Sequence, residues 1–485
     1  MTETQEIETK YWKREVLIRL IKAFMSEDFA ENTRLIPYDM RPKASEMSFR
    51  CCVYKERAIL RSRTVAGLGF SIEEDDERTL LSEIAKKALK RERAEEIPLT
   101  VLQNACKGCP GARVYVTDLC QNCLAKACMK TCRFGAISVK KNRAFIDDEK
   151  CKKCGVCMAA CPYGAIVKTI VPCEHACPVG AISKAEDGYA HIDMDKCISC
   201  GKCVSACPFG AVHAKSQIID VLRKIKEGKN VVAMMAPAIV GHLPCTAEQM
   251  HTALKKIGFS KVYEVAQGAD ITTRVEAQDF AERMERGDGF MTTSCCAAYN
   301  ELVKKHVPEL KPFVSETKTP MYYTAELIKK EHPDAITVFL SPCFAKRKEA
   351  FDNPNINHIL NFEELGAILI AMEIDVQDCT SEAFDYVSSK EGRAFALSGG
   401  VAKAVQAAWK GNPEDLRPTT INGLDKASIR DLKVYAKTGK CPLGNLIEVM
   451  SCSGGCIGGN AGLNTLKDAF KKVDDYSKSG ETITK

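Results

Sequence analysis

The sequence predicts a multidomain protein in which two small α+β modules, held together by clustered cysteines, precede a larger α/β domain. Three observations predict it. The chain has 485 residues, too many for one hydrophobic core. Sixteen cysteines fall between residues 106 and 207, in tight groups separated by short β-like stretches such as Ala144–Asp147 and Ala190–Asp193. After about residue 215, apolar strands alternate with amphipathic helices, which is the pattern of an α/β domain.

The segment 1–100 contains no residues that identify a chemistry. Its only cysteines are Cys51 and Cys52, and two adjacent thiols cannot hold a metal cluster alone. The stretch Glu83–Glu96 is charged and has its apolar residues at helical spacing, so we expect a solvated helix. A packing domain and a partner-docking domain both remain open.

The composition indicates a soluble globular protein. Hydrophobic residues make up 45% of the chain, charged residues 27%, and the net charge is +6. This mild charge does not favour nucleic-acid binding, and a small acidic redox partner fits better. Met1–Lys22 lacks the apolar core of a signal peptide, and no run approaches the roughly 18 apolar residues of a membrane span. We therefore expect a cytoplasmic protein without a membrane segment.

The 26 cysteines are best explained as metal ligands, because disulfides are rare in the cytoplasm. The runs 151–161 and 197–207 both read Cys-x2-Cys-x2-Cys-x3-Cys and are followed by proline, which is the bacterial ferredoxin pattern. Related units end at Cys132 and Cys177, so four units form two ferredoxin-like modules in tandem, at 101–170 and 171–214. Structural zinc is a weaker alternative, because zinc sites need neither the third Cys-x2-Cys spacing nor the trailing proline.

The ferredoxin pattern also predicts how the cysteines group. Three closely spaced thiolates hold one 4Fe-4S cluster, and the cysteine before proline ligates the other cluster of the pair. The first set is then Cys120, Cys123, Cys128 and Cys161; the second is Cys132, Cys151, Cys154 and Cys157; the third is Cys177, Cys197, Cys200 and Cys203; the fourth is Cys106, Cys109, Cys173 and Cys207. The fourth set requires Cys106 and Cys109 to fold back onto the second module. This arrangement resembles polyferredoxin electron-transfer subunits, which implies four accessory clusters that relay electrons.

The α/β domain is expected at 215–470. Val231–Ala236, Val262–Val265 and Ile336–Leu340 are predicted as buried parallel strands. Helices are expected at Ala247–Ile257 and Ser381–Ser389. Functional loops should follow the carboxyl ends of the strands. From about Lys471 the chain is charged, and 471–485 is expected to be a frayed tail.

Three further cysteine motifs lie in this domain: Thr293-Ser-Cys-Cys296, Ser341-Pro-Cys343-Phe-Ala-Lys346 and Glu448-Val-Met-Ser-Cys452-Ser-Gly-Gly-Cys456. In this order, over residues 215–465 and behind the two modules, they resemble the iron-only hydrogenases. The resemblance implies an H-cluster, in which a 4Fe-4S cluster shares a thiolate with a diiron unit carrying carbon monoxide, cyanide and an azadithiolate. It implies that the ligands are the central set, Cys296, Cys343, Cys452 and Cys456, with Cys456 as the bridging thiolate. A buried cysteine could explain one such motif, but three in order are poorly explained that way.

The resemblance also implies a proton route that starts at Cys295. A thiol suits this role because its ordinary pKa of about 8.5 lies near the operating pH. Further out, the matching positions are Glu276, Ser315, Asp279 and Arg283. Glu276 and Asp279 lie three residues apart, on one face of a helix.

Other matched positions surround the diiron unit. Lys346 would donate to a cyanide ligand, as an ammonium suits an anion that the protein cannot otherwise anchor. The pocket walls would include Ala236, Pro237, Phe395 and Met450, and the resemblance adds Ala238 and Ser398-Gly-Gly400. Glu349 and Glu448 match acidic positions that flank two motifs, or they are structural.

The sequence departs from the family pattern at positions that are not ligands. Ala297-Ala-Tyr299 follows the first motif where proline and tryptophan are usual. Met321 occupies the place of a pocket glutamine, and Ser341 that of a methionine. These changes leave every ligand in place and indicate a divergent subgroup.

The resemblance implies reversible interconversion of dihydrogen with protons and electrons. A ferredoxin-like carrier and diiron maturation proteins are the expected partners. A hydrogen sensor is one alternative, but sensors commonly append a signalling domain, and none is evident in the sequence. An iron-sulfur assembly factor is the other, and such relatives generally lose the proton-transferring cysteine that is retained here as Cys295.

Overall fold

The computed structural model describes residues 3–43, 50–93, 96–106 and 109–483. The first helices are α1 (Glu3–Met25), α2 (Phe29–Met40), α3 (Val53–Gly67) and α4 (Leu81–Lys90). The two modules contain β1 (Leu99–Val101), β2 (Arg113–Val116), α5 (Ala127–Lys130), β3 (Ile137–Lys140), β4 (Arg143–Ile146), α6 (Val156–Ala159), β5 (Ile166–Thr169), α7 (Pro172–Ala176), β6 (Ile182–Lys184), β7 (Ala190–Ile192), α8 (Lys202–Ala206) and β8 (Val212–Ala214).

The remaining elements form the large domain. Its strands are β9 (Val231–Met235), β10 (Lys261–Glu264), β11 (Met291–Thr292), β12 (Ile336–Ser341), β13 (His358–Asn361), β14 (Pro418–Asn422) and β15 (Leu446–Met450). Its helices are α9 (Ile218–Lys226), α10 (Ile239–His242), α11 (Ala247–Ile257), α12 (Ala266–Arg286), α13 (Ala297–His306), α14 (Pro320–Glu331), α15 (Lys346–Phe351), α16 (Phe362–Ala371), α17 (Lys390–Ala394), α18 (Gly400–Ala408), α19 (Lys426–Thr438) and α20 (Leu466–Lys478). Short 3-10 turns occur at Pro308–Phe313, Pro413–Asp415 and Cys456–Gly458.

The large domain is built on two parallel sheets. One has the strand order β10-β9-β12-β13 and the other β11-β15-β14. Helices cover the first sheet, whose strand β9 is buried along its whole length. The predicted fold class, tandem ferredoxin-like modules before an α/β domain, is confirmed.

The N-terminal helices are not an independent unit. α1 packs on α16 of the large domain, and Leu20 and Ile21 share one hydrophobic cluster with Ile218, Val231 and Leu365. A separate core in a segment of this size would bury much less apolar surface. The packing interpretation of the segment 1–100 therefore describes what its helices do.

The helix expected at Glu83–Glu96 is shorter than predicted and is not solvated on all sides. It ends at Lys90, because Arg91 leaves it to pair with Asp220 at 2.8 Å. Leu81, Ile84, Ala85 and Ala88 are buried against neighbouring elements. Residues 94–95 of the predicted helix lie outside the described residues.

The boundary predicted at residue 101 is wrong. β1 pairs antiparallel with β8, so that Leu99 lies opposite Ala214 and Val101 opposite Val212. The described residues 99–106 and Cys109 therefore belong to the second module. The first module begins at β2, which pairs with β5 through Arg113 and Thr169.

The helix predicted at Ser381–Ser389 is absent from the described residues, which form an extended segment there. Ser389 instead caps α17 by accepting a hydrogen bond from the Gly392 N–H at 2.9 Å. Phe384 stacks on His251 with ring centroids 4.9 Å apart. These contacts require a chain that runs along the surface of α11.

The tail predicted to fray from about Lys471 is also wrong. It forms most of α20, an amphipathic helix whose charges lie on one face. Ala469 and Val473 are fully buried on the other face, and α20 packs on α10 and α17. Beyond the helix, Ile483 is buried as well.

Within the described ranges, the structure has no helix that is both long and apolar enough to cross a membrane.

Candidate metal centre

The four cysteines of the central set follow strand ends of both sheets. β11 and β15 are parallel neighbours, so Cys296 and Cys452, which follow them, emerge at one edge. β9 and β12 are neighbours in the other sheet, which places Ala236-Pro237 beside Pro342-Cys343. Functional loops therefore lie at the predicted strand ends.

Cys456 reaches the same place through a tight turn. Gly455 has φ +85°, and a β-carbon there would lie 2.6 Å from the Ser398 backbone nitrogen. Only glycine fits this close approach between the third motif and the segment after Phe395. The thiols of the central set consequently line one cavity and interact electrostatically with one another.

This cavity holds about 100 Å³, and most of its walls are apolar. The matched wall residues Ala236, Pro237, Phe395 and Met450 all line it, as does Met321 in place of the pocket glutamine. Another departure, Tyr299, is fully buried, and its hydroxyl lies 2.7 Å from the Thr292 hydroxyl. Met321 and Tyr299 are thus accommodated by packing, and the remaining departures, Ala297, Ala298 and Ser341, also line the cavity.

The thiols of the central set fit an iron cluster better than a free-thiol core. Burial raises the pKa of Cys343 to about 11 and that of Cys456 to about 12. Such thiols are neutral at pH 7 unless a cation replaces their protons, and a metal-bound thiol is deprotonated. In the described part of the chain, no three potential ligands stand at the spacing of a single-ion site. A cluster whose iron atoms occupy separate corners suits four such thiols.

Lys346 is the cation of this cavity. Its Nζ donates to Glu349 Oε2 at 2.6 Å and to the Cys295 carbonyl at 3.3 Å. Burial acts to lower the Lys346 pKa, but the Glu349 carboxylate outweighs it and the pKa is raised. Thr319 hydrogen-bonds the other Glu349 oxygen. Lys346 is therefore a fixed ammonium at the cavity wall.

The partly buried Cys295 lines the cavity, and its thiol interacts electrostatically with the fully buried Glu276. Burial raises the pKa of the Cys295 thiol, and the Glu276 charge raises it further. Burial also raises the Glu276 pKa to about 8, with a smaller contribution from Asp279, while the Ser315 hydroxyl acts to lower it. Among the described residues, no partner makes a hydrogen bond of normal geometry with either Glu276 carboxyl oxygen. A carboxyl group in this setting can hold or release a proton near neutral pH.

Asp279 lies at the outer end of the predicted proton route, beyond Cys295, Glu276 and Ser315. It accepts hydrogen bonds from Arg283 Nε at 2.7 Å and from the Glu316 N–H at 3.1 Å. Arg283 also donates to the Pro312 and Val314 carbonyls. The structure thus brings all of the predicted route residues into one region.

Glu448 stabilises the start of α18, a role that its sequence motif did not indicate. Its carboxyl oxygens accept hydrogen bonds from the N–H groups of Gly399 and Ala402, at 2.8 and 2.9 Å. These groups belong to the start of α18, where a carboxylate is favoured. Burial nevertheless raises its pKa to about 7.

Asn460 is a site residue that sequence reasoning missed. Its side-chain amide donates to the Cys200 carbonyl at 2.9 Å and lies 4.0 Å from Cys452 Sγ. It therefore connects the third set to the central set. Only its place in the glycine run 458–462 could have indicated it.

The sixteen module cysteines come together in the predicted groups. The first set lines one small cavity and the fourth set another. In the second set Cys157, and in the third set Cys203, interacts electrostatically with the other three members of its own set. Cys106 and Cys109 do fold back onto Cys173 and Cys207, because β1 holds them against the second module.

The sets also have an order in space. Cys203 of the third set interacts with Cys173 of the fourth, and Cys452 of the central set interacts with Cys200 of the third. Cys200 also lines the central cavity. The first module joins the rest through β2 and β5, which lie four residues from Cys109 and Cys173, respectively. The fourth set therefore lies between the first module and the third set.

Comparisons with known families agree with this arrangement. The family described as "Iron only hydrogenase large subunit, C-terminal domain" matches residues 229–460, and the 4Fe-4S binding domain matches residues 144–167 and 190–213.

Among individual proteins, the chain is 28% identical over 305 residues to the periplasmic Fe hydrogenase large subunit of Nitratidesulfovibrio vulgaris, covering 51% of this chain and 72% of that protein. It is 26% identical over 372 residues to the NADP-reducing hydrogenase subunit HndD of Solidesulfovibrio fructosivorans, covering 64% and 56%. A probable cytosolic Fe-S cluster assembly factor of Nematostella vectensis is 25% identical over 224 residues, covering 38% and 51%. The chain thus spans only about half the length of the last two proteins. A solved iron-iron hydrogenase from Chlamydomonas reinhardtii aligns with 56% of this chain and 90% of its own, at 21% identity and a TM-score of 0.46.

Proposed function

The chain is an iron-only hydrogenase-like protein with ferredoxin-type 4Fe-4S domains, and we propose that it interconverts dihydrogen with protons and electrons. One observation carries the proposal. The central set, a partly buried thiol at Cys295 and a buried ammonium at Lys346 all face one small apolar cavity. The proposal goes beyond the hydrogenase-related function that the comparisons support.

An H-cluster bound here would supply the redox chemistry of dihydrogen. Cys296, Cys343 and Cys452 would hold its 4Fe-4S part, and Cys456 would be the thiolate shared with the diiron part. Lys346 offers N–H donors to an anionic ligand, and Glu349 holds that ammonium in place. The apolar walls exclude water, which strengthens these electrostatic contacts.

The residues next to the cavity would move the proton. Cys295 keeps its thiol proton at neutral pH, because burial and the nearby Glu276 raise its pKa. Glu276, with a pKa near 8, can exchange a proton with Cys295 on one side and with the Ser315 hydroxyl on the other. Asp279, held by Arg283, completes the route to the surface.

Electrons would travel through the accessory clusters. The third set is nearest the central set, the fourth follows, and the first module lies beyond it. We propose that a ferredoxin-like carrier exchanges electrons with this protein and that diiron maturation proteins load it.

Infrared spectroscopy tests the proposal most directly. Protein made without maturation proteins should contain 4Fe-4S clusters, show no carbon monoxide or cyanide bands, and evolve no dihydrogen from reduced methyl viologen. Loading the diiron unit should produce both the bands and the activity. Full activity without loading, or bands without any turnover in either direction, would refute the proposal.

The similarity to a cytosolic Fe-S cluster assembly factor supports a second candidate, a role in iron-sulfur assembly. The two functions predict different outcomes in the same experiment. An assembly factor would keep its 4Fe-4S clusters and acquire no infrared bands after exposure to the maturation proteins. The retained Cys295 and Lys346 beside the cavity favour the hydrogenase.

A further inference from the structure

The N-terminal helices place cations around one ligand loop of the fourth set. The loop is Cys207-Pro-Phe-Gly210, which follows α8. Lys13 of α1 and Arg63 of α3 lie close to it, and both side chains are buried. Arg50, just before α3, also lies close to it and is half-buried.

Several contacts fix these three cations. Arg63 Nη2 donates to the Phe209 carbonyl at 3.4 Å. A β-carbon on Gly210 would lie 3.1 Å from Arg63 Nη2 and 3.5 Å from Lys13 Cε, so both side chains press against the loop. The Arg50 guanidinium lies 4.8 Å from the centre of the Phe209 ring, and both of its Nη atoms donate to the Ala105 carbonyl at 3.1 Å. Ala105 directly precedes the ligand Cys106, so both arms of the fourth set are contacted.

The two buried cations lack matching carboxylates. Neither Lys13 nor Arg63 forms an ion pair with the described residues, and Arg63 Nη1 is buried without a hydrogen-bond partner. Among carboxylates, Glu363 raises the Lys13 pKa most, and Lys13 and Glu363 line one small cavity. The charge that raises the Arg63 pKa is that of the Cys207 thiolate. Burial lowers the Arg63 pKa to about 10, so this guanidinium is still charged at pH 7.

Buried charge without a partner is costly, and a nearby anion would offset that cost. A 4Fe-4S cluster with four thiolate ligands is such an anion, and it gains one more negative charge when reduced. Fixed positive charge beside it therefore stabilises the reduced form more than the oxidised form. Net charge and burial are among the main determinants of cluster potential.

We propose that Lys13, Arg50 and Arg63 raise the reduction potential of the cluster held by the fourth set. This inference rests on the cluster assignment within the proposed function, but not on the dihydrogen chemistry. It gives the N-terminal helices a role as positioning elements that hold positive charge beside the fourth cluster. The cluster lies where the first module meets the third set, so a change in its potential would affect electron transfer between them.

A redox titration tests the proposal in protein that lacks the diiron unit. The paramagnetic resonance signal that disappears in Cys106→Ser/Cys109→Ser identifies the fourth cluster. Arg63→Met should reduce the equilibrium constant for one-electron reduction of that cluster about tenfold, equivalent to about 59 mV, without changing the iron content. Arg63→Lys keeps the charge and should restore most of the wild-type potential.

Arg133→Met is the matched control, because Arg133 directly follows the ligand Cys132 but is exposed. Solvent screening should keep its effect below about twofold on any cluster. If Arg63→Met fails to retain the fourth cluster, Lys13→Met replaces it, and a lowered potential of the same signal then supports the proposal.

An unchanged fourth-cluster potential in Arg63→Met, or in Lys13→Met where it is the replacement, overturns the proposal. So does an Arg63→Lys potential as low as that of Arg63→Met, because the charge would then not be the cause. Infrared bands and dihydrogen turnover are not measured here, so failure of this proposal and failure of the proposed function are distinguishable.

Discussion

Glu276→Gln should make the protein more stable at alkaline pH while impairing turnover. Glu276 is fully buried on α12, and no carbonyl, N–H or cation of the described residues forms a normal hydrogen bond with its carboxyl oxygens. Burial raises its pKa from 4.5 to about 8. Glutamine has nearly the same shape as the protonated acid but cannot ionise.

The pKa shift sets the size and the sign of the effect. The folded protein binds this proton more tightly than the unfolded chain does, so the stabilisation is complete below about pH 4.5 and is lost as the pH rises through about 8. A shift of about 3.5 pKa units corresponds to at most about 5 kcal/mol of unfolding free energy. Glu276→Gln lacks this loss of unfolding free energy. Its unfolding free energy should therefore exceed that of the wild type by an amount that grows steadily between pH 5 and pH 8.

Anaerobic urea unfolding at several pH values measures this difference. Asp279→Asn is the control on the same helix. Its carboxylate pairs with Arg283 at 2.7 Å, so the substitution should lower stability. Because the Asp279 charge contributes only a smaller part of the raised Glu276 pKa, the alkaline gain of Asp279→Asn should be much smaller than that of Glu276→Gln. Dihydrogen evolution by Glu276→Gln should fall about 100-fold or more, the usual range for a lost proton-transfer group. Parallel stability curves for wild type and Glu276→Gln from pH 5 to pH 9 would refute the reasoning.

Three further predictions follow from the same structure. Cys295→Ala should keep the infrared bands but lose about 100-fold or more in turnover, whereas Cys456→Ala should retain no diiron unit; near-wild-type turnover in Cys295→Ala would contradict the proton route. Cys106→Ser/Cys109→Ser should lose about four iron atoms per chain, the content of one 4Fe-4S cluster; an unchanged iron assay would show that both are ordinary thiols. His358 is buried, and its pKa is lowered to about 3, mainly by burial, so it should lower stability as the pH falls below about 6.5, by about 2 kcal/mol at pH 5. His358→Gln should flatten the urea-unfolding profile between pH 7 and pH 5, and identical slopes would count against this assignment.

Local signals were enough to predict several elements. The helix expected at Ala247–Ile257 has those bounds, because Thr246 and Gln249 form a capping box and Gly258 ends the helix. The parallel strands were predictable from their apolar runs. The module cysteines could be grouped because ligand spacing in ferredoxin runs is tightly constrained. For the central set, a family resemblance was needed, since its ligands come from two different sheets.

Elements that depend on distant contacts could not be predicted. Ser389 is part of an extended segment because it caps α17, and nothing in its own segment indicates that helix start. Val473 and Ile483 are buried only because other parts of the large domain lie against them. Nothing in the sequence around Lys13 and Arg63 distinguishes them from other cations of charged helices, and only tertiary packing places them beside Cys207. The fold-back of Cys109 likewise depends on the pairing of β1 with β8.

Because β2 pairs with β5, the first module enters and leaves the fold at one point and can be removed or replaced as a unit. Arg113 and Thr169 lie opposite each other in an antiparallel pair, where opposed α-carbons are about 5 Å apart. The module thus leaves and rejoins the chain at nearly one point, like an insertion in a hairpin loop. Replacing residues 114–168 with a short turn would bring together chain ends that are already adjacent and leave β1, β8 and the fourth set in place. A lineage could therefore gain, lose or exchange this unit in one recombination step without rebuilding the rest of the molecule.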